Sequence, residues 1–473
     1  MARASGQGIS QPPLDDLRNF VGLLESRNEL VRIRVETDPL LEIAAITDRM
    51  CKQPGGHALL FERPSGSLFP VATNLFGSRQ RVELALGGGS LERLTDRMSN
   101  LLSQIPQLHL PHLDGQISVL PDFARYAPVA GAAADLVAMG EPDLARFPFL
   151  QVWPNDGAAS GHPRYLTLPL VFSTDPEHGT PNCGMYRCQV RGHSELAIRW
   201  SSGSGAARHL EAFRRRGKRM PVAICVGGPP AVIFSALMPL PGHLDEMTFA
   251  GFLAAEAVSL SPCRTVPLRV PASAELVIEG FIDPEETVTE GPYGNHTGCY
   301  SPAGPAPLLR ITAISHRPGA VIPATVVGPP PMEDCWMAKA WERVLAAFLR
   351  RLIPAVSDIH FPLEWIFHQS AIISLVNPLP GMVRETAEQL WALPWFNAAR
   401  MLIFTDAEAG REDFSGAAWH SINLAEYSRD LLHDADGRRW ALDATGCREG
   451  RSRVVPDAVV ADQVTRRWRE YGF

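Results

Sequence analysis

The sequence predicts an α+β chain of three parts, with an α/β segment at each end and a β-rich segment between them. Three observations point that way. The 473 residues exceed the size at which one hydrophobic core usually stops growing, so two or three domains are expected. At 45% hydrophobic and 20% charged residues, the composition is that of a folded globular chain rather than a disordered one. The apolar period then changes twice. Helix and strand patterns alternate at the front, strand patterns dominate the middle, and the alternation resumes after "VVGPPPMED".

At the front, "DDLRNFVGLLESRNEL" places Leu17, Phe20, Val21 and Leu24 on one helical face, and "LVRIRVET" alternates Val31, Ile33 and Val35 as a strand does. A helix in "LEIAAITDRM" and a strand in "ALLFER" follow. Proline-punctuated sequence from Ser103 to about Gly131 marks a boundary. The middle reads as strands in "RYLTLPLVFST", "GMYRCQVRG", "ELAIRWS", "PVAICVG", "AVIFSAL", "AELVIEGFI" and "LLRITAISH", with "DEMTFAGFLAAEAVSL" as its convincing helix, so a β-barrel or sandwich is expected. The last part alternates "CWMAKAWERVLAAFLRRLI", "QSAIISLV", "GMVRETAEQLWAL" and "RMLIFTD". The three parts are bounded as 1–125, 126–320 and 321–473.

A formal net charge of −7 argues against non-specific nucleic-acid binding, though arginines can still gather around an anionic ligand. Eight cysteines from Cys51 to Cys447 form no CxxC pair, which reads as reduced thiols in a cytoplasmic protein. The first twenty residues lack an apolar signal core, and no apolar run is long enough to span a bilayer.

Two stretches carry candidate chemistry. Residues 286–300 read "ETVTEGPYGNHTGCY", and a surface turn there needs only Pro292 and Gly294. Glu290, Asn295 and His296 go beyond that need. In "PNCGMYRCQVRG", Asn182 and Arg187 frame a strand-like run whose strict alternation would send them to opposite faces. They can share a ligand only if Gly184 allows a bulge or the strand begins after it. Taken alone, this segment reads equally as an exposed edge strand bearing a surface arginine.

The ordered segments "PNCGMYRCQ", "MPLPGHLDEMTFAG", "PASAELVIEGFIDPEETVTEGPYGNHTG" and "LDAT", with "LRNFVGLLESRNELVRI" and "ALLFERPSG" before them, resemble the UbiD family of prenylated-FMN-dependent decarboxylases over nearly the whole chain. The resemblance implies a central FMN-binding split β-barrel flanked by amino- and carboxy-terminal α/β domains, the latter driving assembly into a homodimer or homohexamer. It implies Asn182 and Glu246 as ligands of Mn²⁺ or Mg²⁺, with K⁺ as an additional cation; oxygen donors suit such ions. Cofactor contacts fall on Asn182, Met185, Tyr186, Arg187, Arg199, Trp200, Ser201, Ser204, Gly205, Met238 and Pro239. Arg439 stands where the family has a lysine.

The resemblance also implies catalytic roles for Arg187, which orients the substrate carboxylate, and for Glu290, which holds Arg187. An electron sink is needed when CO₂ leaves an sp² carbon, and the modified flavin supplies it. Met185, Leu237 and Met238 are expected to make the surroundings less polar.

Two positions depart from the family pattern. Gly203 stands where a third metal ligand, a histidine, is common. His209, in "ARHLEAF", reads as a surface group on a following helix. Asn295 stands where the family has the acid that protonates the product carbon, and an amide has no titratable proton near neutrality. His296, Glu290 or water then becomes the proton source, with a turn-holding role for His296 equally open.

The implied function is non-oxidative decarboxylation of an α,β-unsaturated or aromatic acid, with a flavin prenyltransferase as cofactor supplier. Candidate substrates range from 4-hydroxy-3-polyprenylbenzoate through hydroxybenzoates, cinnamates and heteroaromatic acids to an unsaturated polyketide acid. A flavin-binding carrier or structural subunit without turnover is the second reading.

Overall fold

The computed structural model describes residues 14–132, 135–242, 244–406, 414–446 and 457–472. Its first helix, Leu17–Ser26, buries Leu17, Phe20, Val21, Leu23 and Leu24, and the Asp16 carboxylate caps it by accepting the Asn19 N–H. Strand Leu30–Thr37 runs parallel to Ala58–Pro64, the crossover being helix Glu42–Cys51. Val71–Thr73 and Ile322–Ala324 extend this sheet to four strands. Val31 and Val35 are exposed although their alternation suits a core face. Leu30–Thr37 is the outer strand, and only its two ends are buried.

The central sheet has nine strands. Its path runs Tyr165–Leu166, Cys188–Val190, Glu195–Ile198, Gly304–His316, Leu276–Glu290, Met220–Val226, Pro169–Thr174, Pro181–Met185, with Val137–Ala138 added beside Gly304–His316. All its pairings are antiparallel. Pro181–Met185 ends one side of this path while Cys188–Val190 stands next to the other end. Only Tyr186 and Arg187 separate them in sequence. Three Cα steps span at most about 11 Å, so the sheet must curl until its ends nearly meet. No backbone ladder joins those ends among the described residues; the covalent chain crosses the gap instead.

The predicted strand "GMYRCQVRG" is therefore two strands broken at Tyr186–Arg187, and it is this break, not a bulge at Gly184, that resets the alternation. "AVIFSAL", predicted as a strand, is helix Pro230–Leu237. An apolar run buried all round has the same pattern in either form, and here the proline at the first helical position starts a helix.

Helix Glu333–Leu352 is buried along most of its length and packs on helix Leu91–Ser103. One apolar cluster runs continuously from Leu17 through Phe234 and Phe348 to Phe404, tying all three parts together. Behind the helix lies a five-stranded sheet in the order Val356–His360, Ser370–Leu375, Met401–Asp406, Trp440–Asp443, Leu431–His433. Cys447 lies outside the described residues, and the other seven cysteines are free thiols. Among the described residues no helix is long and apolar enough to cross a membrane.

Candidate active site

The break in the sheet places Arg187 at its seam. There its Nε donates to Glu290 Oε1 at 2.8 Å and its Nη2 to Oε2 at 3.1 Å, a two-pronged pair. Glu290, the last residue of strand Leu276–Glu290, is fully buried, whereas the Arg187 side chain keeps 21% of its surface open. The Tyr293 ring lies under the guanidinium at 4.7 Å, and Tyr165 packs on Tyr293 at 4.7 Å. Burial pushes both phenols up, so both remain protonated. Arg199 stands 3.9 Å from Glu290 Oε2 and gives a hydrogen bond to Pro305 O.

One strand end away is a polar cradle. Asn182 is buried, and its side chain and Ser204 both interact with the Tyr186 hydroxyl. A Cβ at residue 205 would overlap Asn182 Oδ1, so the helix Gly205–Arg215 can begin this close only because residue 205 is glycine. Ser204 caps that helix by accepting the Ala207 N–H, and its hydroxyl also bonds Ser201 O. Glu246, the first residue of helix Glu246–Ala254, accepts the Cys183 N–H at 3.1 Å. Burial pushes its carboxyl up to about 8. Tyr186 is tilted edge-on to Trp200 at 5.9 Å, and Met185 and Met238 pack against the main core. Pro239 O accepts the Trp395 indole N–H.

A buried amide and a buried carboxylate, both oxygen donors, fit an oxygen-liganded cation. His209 is not a surface group. It is 4% exposed, and its Nδ1 bonds Ser173 Oγ at 2.9 Å, on the residue that pairs with Asn182 across the sheet. The helix turns this face inward because Leu210 and Phe213 share it. Arg439 is held by Asp434 at 2.7 Å and by Trp391 O at 3.0 Å, with its guanidinium over the Trp391 ring. The one metal-like cluster of His and acidic groups among the described residues, Asp175, Glu177 and His178, includes none of the expected ligands.

Asn295 is engaged in its own turn. Its Oδ1 accepts from Thr297 N and Thr297 Oγ1, and its Nδ2 donates to Ser301 Oγ at 2.7 Å. His296 is partly buried against His368, Phe367 and Asp334. Burial, then the His368 charge, pushes its imidazole down to about 4, so His296 is neutral near pH 7 rather than titrating there.

Sequence reasoning missed four residues that build this region. Asp156 is buried and accepts Gly294 N–H and Trp153 N–H, each at 2.8 Å. The Trp153 indole N–H bonds Val327 O, and the ring fills the space that a Cβ on Gly294 or Gly328 would need. Asp334 and His368 arrive from the third part of the chain. The charged "MEDCW" at a helix start was the one local signal for Asp334.

A curled antiparallel sheet with a buried glutamate paired to an arginine at its seam, clasped between two α/β parts, makes a chain of mixed α+β architecture. The chain belongs to the UbiD family. Its residues 129–330, 21–99 and 335–458 match the family's 3-octaprenyl-4-hydroxybenzoate carboxy-lyase Rift-related, N-terminal and C-terminal domains. It is 35% identical over 462 residues to an uncharacterized protein of Archaeoglobus fulgidus and 37% identical over 464 residues to one of Aquifex aeolicus. Each match covers 97% of this chain and 93% of the relative.

Among solved structures, an evolved dimeric form of the UbiD-class enzyme HmfF from Pelotomaculum thermopropionicum, in complex with prFMN, shares the fold. The TM-score is 0.80 at 24% identity, covering 95% of this chain and all of that one. Vanillic acid decarboxylase of Sedimentibacter hydroxybenzoicus in closed form matches at TM-score 0.80 and 22% identity, covering 99% of each chain.

Proposed function

We propose that this protein is a prenylated-FMN-dependent non-oxidative decarboxylase of a small α,β-unsaturated or aromatic acid. The observation that carries the reading is the pair Arg187–Glu290. Glu290 fixes the arginine through two bonds, and among the described residues Nη1 has no protein acceptor, which leaves a charged donor to receive a substrate carboxylate. The resemblance and the prFMN bound by a structural relative support the cofactor. Asn182 and Glu246 would hold the cation beside its phosphate, with Ser204 and Gly205 at the helix start, and Met185, Tyr186 and Met238 along the ring. When bound, the modified flavin supplies the electron sink. The chain's own residues orient the carboxylate, exclude water and manage the proton. The curled sheet is read as a split barrel, with the domains divided as 1–125, 126–320 and 321–473.

A cavity of about 240 Å³ supports the substrate class. It is lined by Leu237, Pro239, Phe361, Phe367, His368 and Trp395 among others, walls that suit a flat apolar body. A larger cleft of about 720 Å³, bordered by Asp15, Asp16 and Arg317, shares no residue with the site and plays no part in this reading.

The test is to load the protein with prenylated FMN and Mn²⁺ and offer a panel of cinnamic, hydroxybenzoic and heteroaromatic acids. CO₂ release, or exchange of the product hydrogen with deuterated solvent, is expected for at least one. Bound flavin with neither activity across the panel would overturn the reading in favour of a carrier.

A further inference from the structure

The loop that carries Glu290 and Tyr293 holds no carboxylic acid after Gly294, because Asn295 stands there with both polar atoms engaged in its turn. A carboxylic acid from another element reaches the neighbouring residue, His296. Asp334 is the second residue of helix Glu333–Leu352 and is 8% exposed. Its Oδ1 accepts the Cys335 N–H at 3.0 Å, and its Oδ2 faces His296 Nδ1 at 3.8 Å. One water or a small side-chain shift spans that gap, and such contacts tighten when a ligand closes the site. The His296 ring packs edge-on against His368 at 4.7 Å, and His368 lines the apolar cavity. Asp334 also lies near enough to Tyr293, the ring beneath Arg187, to act on that phenol electrostatically. A continuous line of groups thus joins Asp334 to this apolar cavity.

Resting on the decarboxylase reading, we propose that Asp334 acts through His296 as the proton source that the amide at position 295 cannot be. In this relay His296 hands its proton to the reacting carbon, and Asp334 is the positioning residue that sets and refills that proton. The C–C bond to the carboxylate breaks and CO₂ leaves. The carbon regains its electron pair and takes the proton from His296 Nε2. The Asp334 hydroxyl proton passes to Nδ1 of the same ring; a solvent proton then returns to Nε2 as the Nδ1 proton goes back to Asp334, which restores the starting tautomer. No net charge is moved onto the imidazole.

The electrostatics agree with this order. Burial pushes Asp334 up to about 6 and His296 down to about 4, so below about pH 6 the mobile proton rests on the carboxyl rather than on the ring, which relays it as a neutral group. The groups facing the pair are His368 and Phe367 from the segment before strand Ser370–Leu375, Tyr293 from the loop after Glu290, and Glu333 and Cys335 from Asp334's own helix. Burial holds His368 down as well, so neither imidazole brings a fixed charge near neutrality.

Two measurements test the proposal, the first on cofactor-free protein. Imidazole nitrogen NMR should show His296 protonated on Nε2 below about pH 6, where Asp334 donates to Nδ1. Above it the proton should move to Nδ1, where the carboxylate accepts. Asp334→Asn should abolish the switch, and a tautomer that does not change with pH in the wild type would overturn the relay. The second measurement uses loaded enzyme. Asp334→Asn, and independently His296→Gln, should slow solvent exchange into the product by at least ~100-fold with flavin content unchanged. Asn295→Asp in the Asp334→Asn background should recover at least about tenfold, since it returns an acid to the loop. Exchange at the wild-type rate in Asp334→Asn, or no recovery by Asn295→Asp, overturns the proposal alone. A wild type that neither releases CO₂ nor exchanges any acid overturns the decarboxylase reading first.

Discussion

Two fully buried glutamates bracket one strand, and each meets two arginines, yet they do different work. Glu275, just before strand Leu276–Glu290, accepts from Arg18 Nε at 3.1 Å, Arg317 Nη1 at 3.1 Å and the Val321 N–H at 2.9 Å. Arg317 is further shared with Asp16, and Arg18 with Pro318 O. That cluster is saturated, and it pins the first helix to the central sheet. Among the described residues, Glu290 at the strand's other end is bound closely by Arg187 alone, with Arg199 held off at 3.9 Å. Burying a charge is unfavourable unless its bonds are satisfied, so a buried pair that holds a donor open is not explained by stability. The contrast separates a fully engaged ion cluster from a pair that leaves one donor open.

Breaking the open pair should give the largest effect. Arg187→Ala should lower turnover on the order of 10³-fold, about 4 kcal/mol of transition-state stabilisation, while flavin still binds. Initial rates of CO₂ release and the flavin absorbance measure the two separately. Turnover retained in this variant would erase the contrast. Glu275→Gln should do the opposite, losing about 3 kcal/mol of stability, seen as a lower urea midpoint, with kcat of the folded fraction unchanged. A loss of kcat there would mean that both glutamates serve the reaction.

The cradle beside the seam sharpens the comparison further. Gly205→Ala should weaken cofactor loading by about 10–100-fold, because the new methyl group would push Asn182 or the helix start aside. Fluorescence titration with FMN reads it. Glu246 adds a pH dependence of known sign. Burial raises its carboxyl from the ordinary 4.5 to about 8, so the folded protein holds a proton there that the unfolded chain has already lost. The stability this proton contributes is complete below about pH 4.5 and is lost as pH rises through 8. A divalent cation takes the deprotonated form, so Mn²⁺ affinity of loaded protein should climb by up to about tenfold per unit from pH 6 toward 8. Affinity that stays flat across that range would remove Glu246 as a ligand.

What the sequence disclosed and what it withheld divide along a physical line. Helix Leu17–Ser26 and strand Leu30–Thr37 were legible because cap and periodicity are local properties, as was helix Glu333–Leu352. Pro230–Leu237 was not, since burial on all sides erases the period that distinguishes helix from strand. Arg187 and Glu290 were found through the motifs around them, but their meeting depends on an interruption of the strand at Tyr186–Arg187 that no propensity signals. Asp334 and His368 reach the site from elements some 40 and 70 positions beyond Asn295, and only the fold brings them there. His209 was misplaced because a lone imidazole on an amphipathic helix gives no sign of which side the neighbouring sheet will cover.

The smallest predicted effect concerns Asn295 itself and decides whether its turn is merely a support. Ser301→Ala removes the acceptor of the Asn295 Nδ2 bond, while Asn295 Oδ1 keeps Thr297 N and Thr297 Oγ1. Asn295 and Ser301 are partly exposed, so water replaces the lost partner and the change in stability should be about 1 kcal/mol or less. The turn geometry is set by the Oδ1 bonds and by the pairing of Tyr293–Gly294 with Tyr300–Ser301, so His296 should stay against His368. Turnover in Ser301→Ala should then remain within about twofold of wild type, measured beside the urea midpoint. A much larger fall in turnover at unchanged stability would mean that the Asn295 amide itself faces the reacting carbon. The division between an anion-binding seam and a purely structural turn would then have to be redrawn.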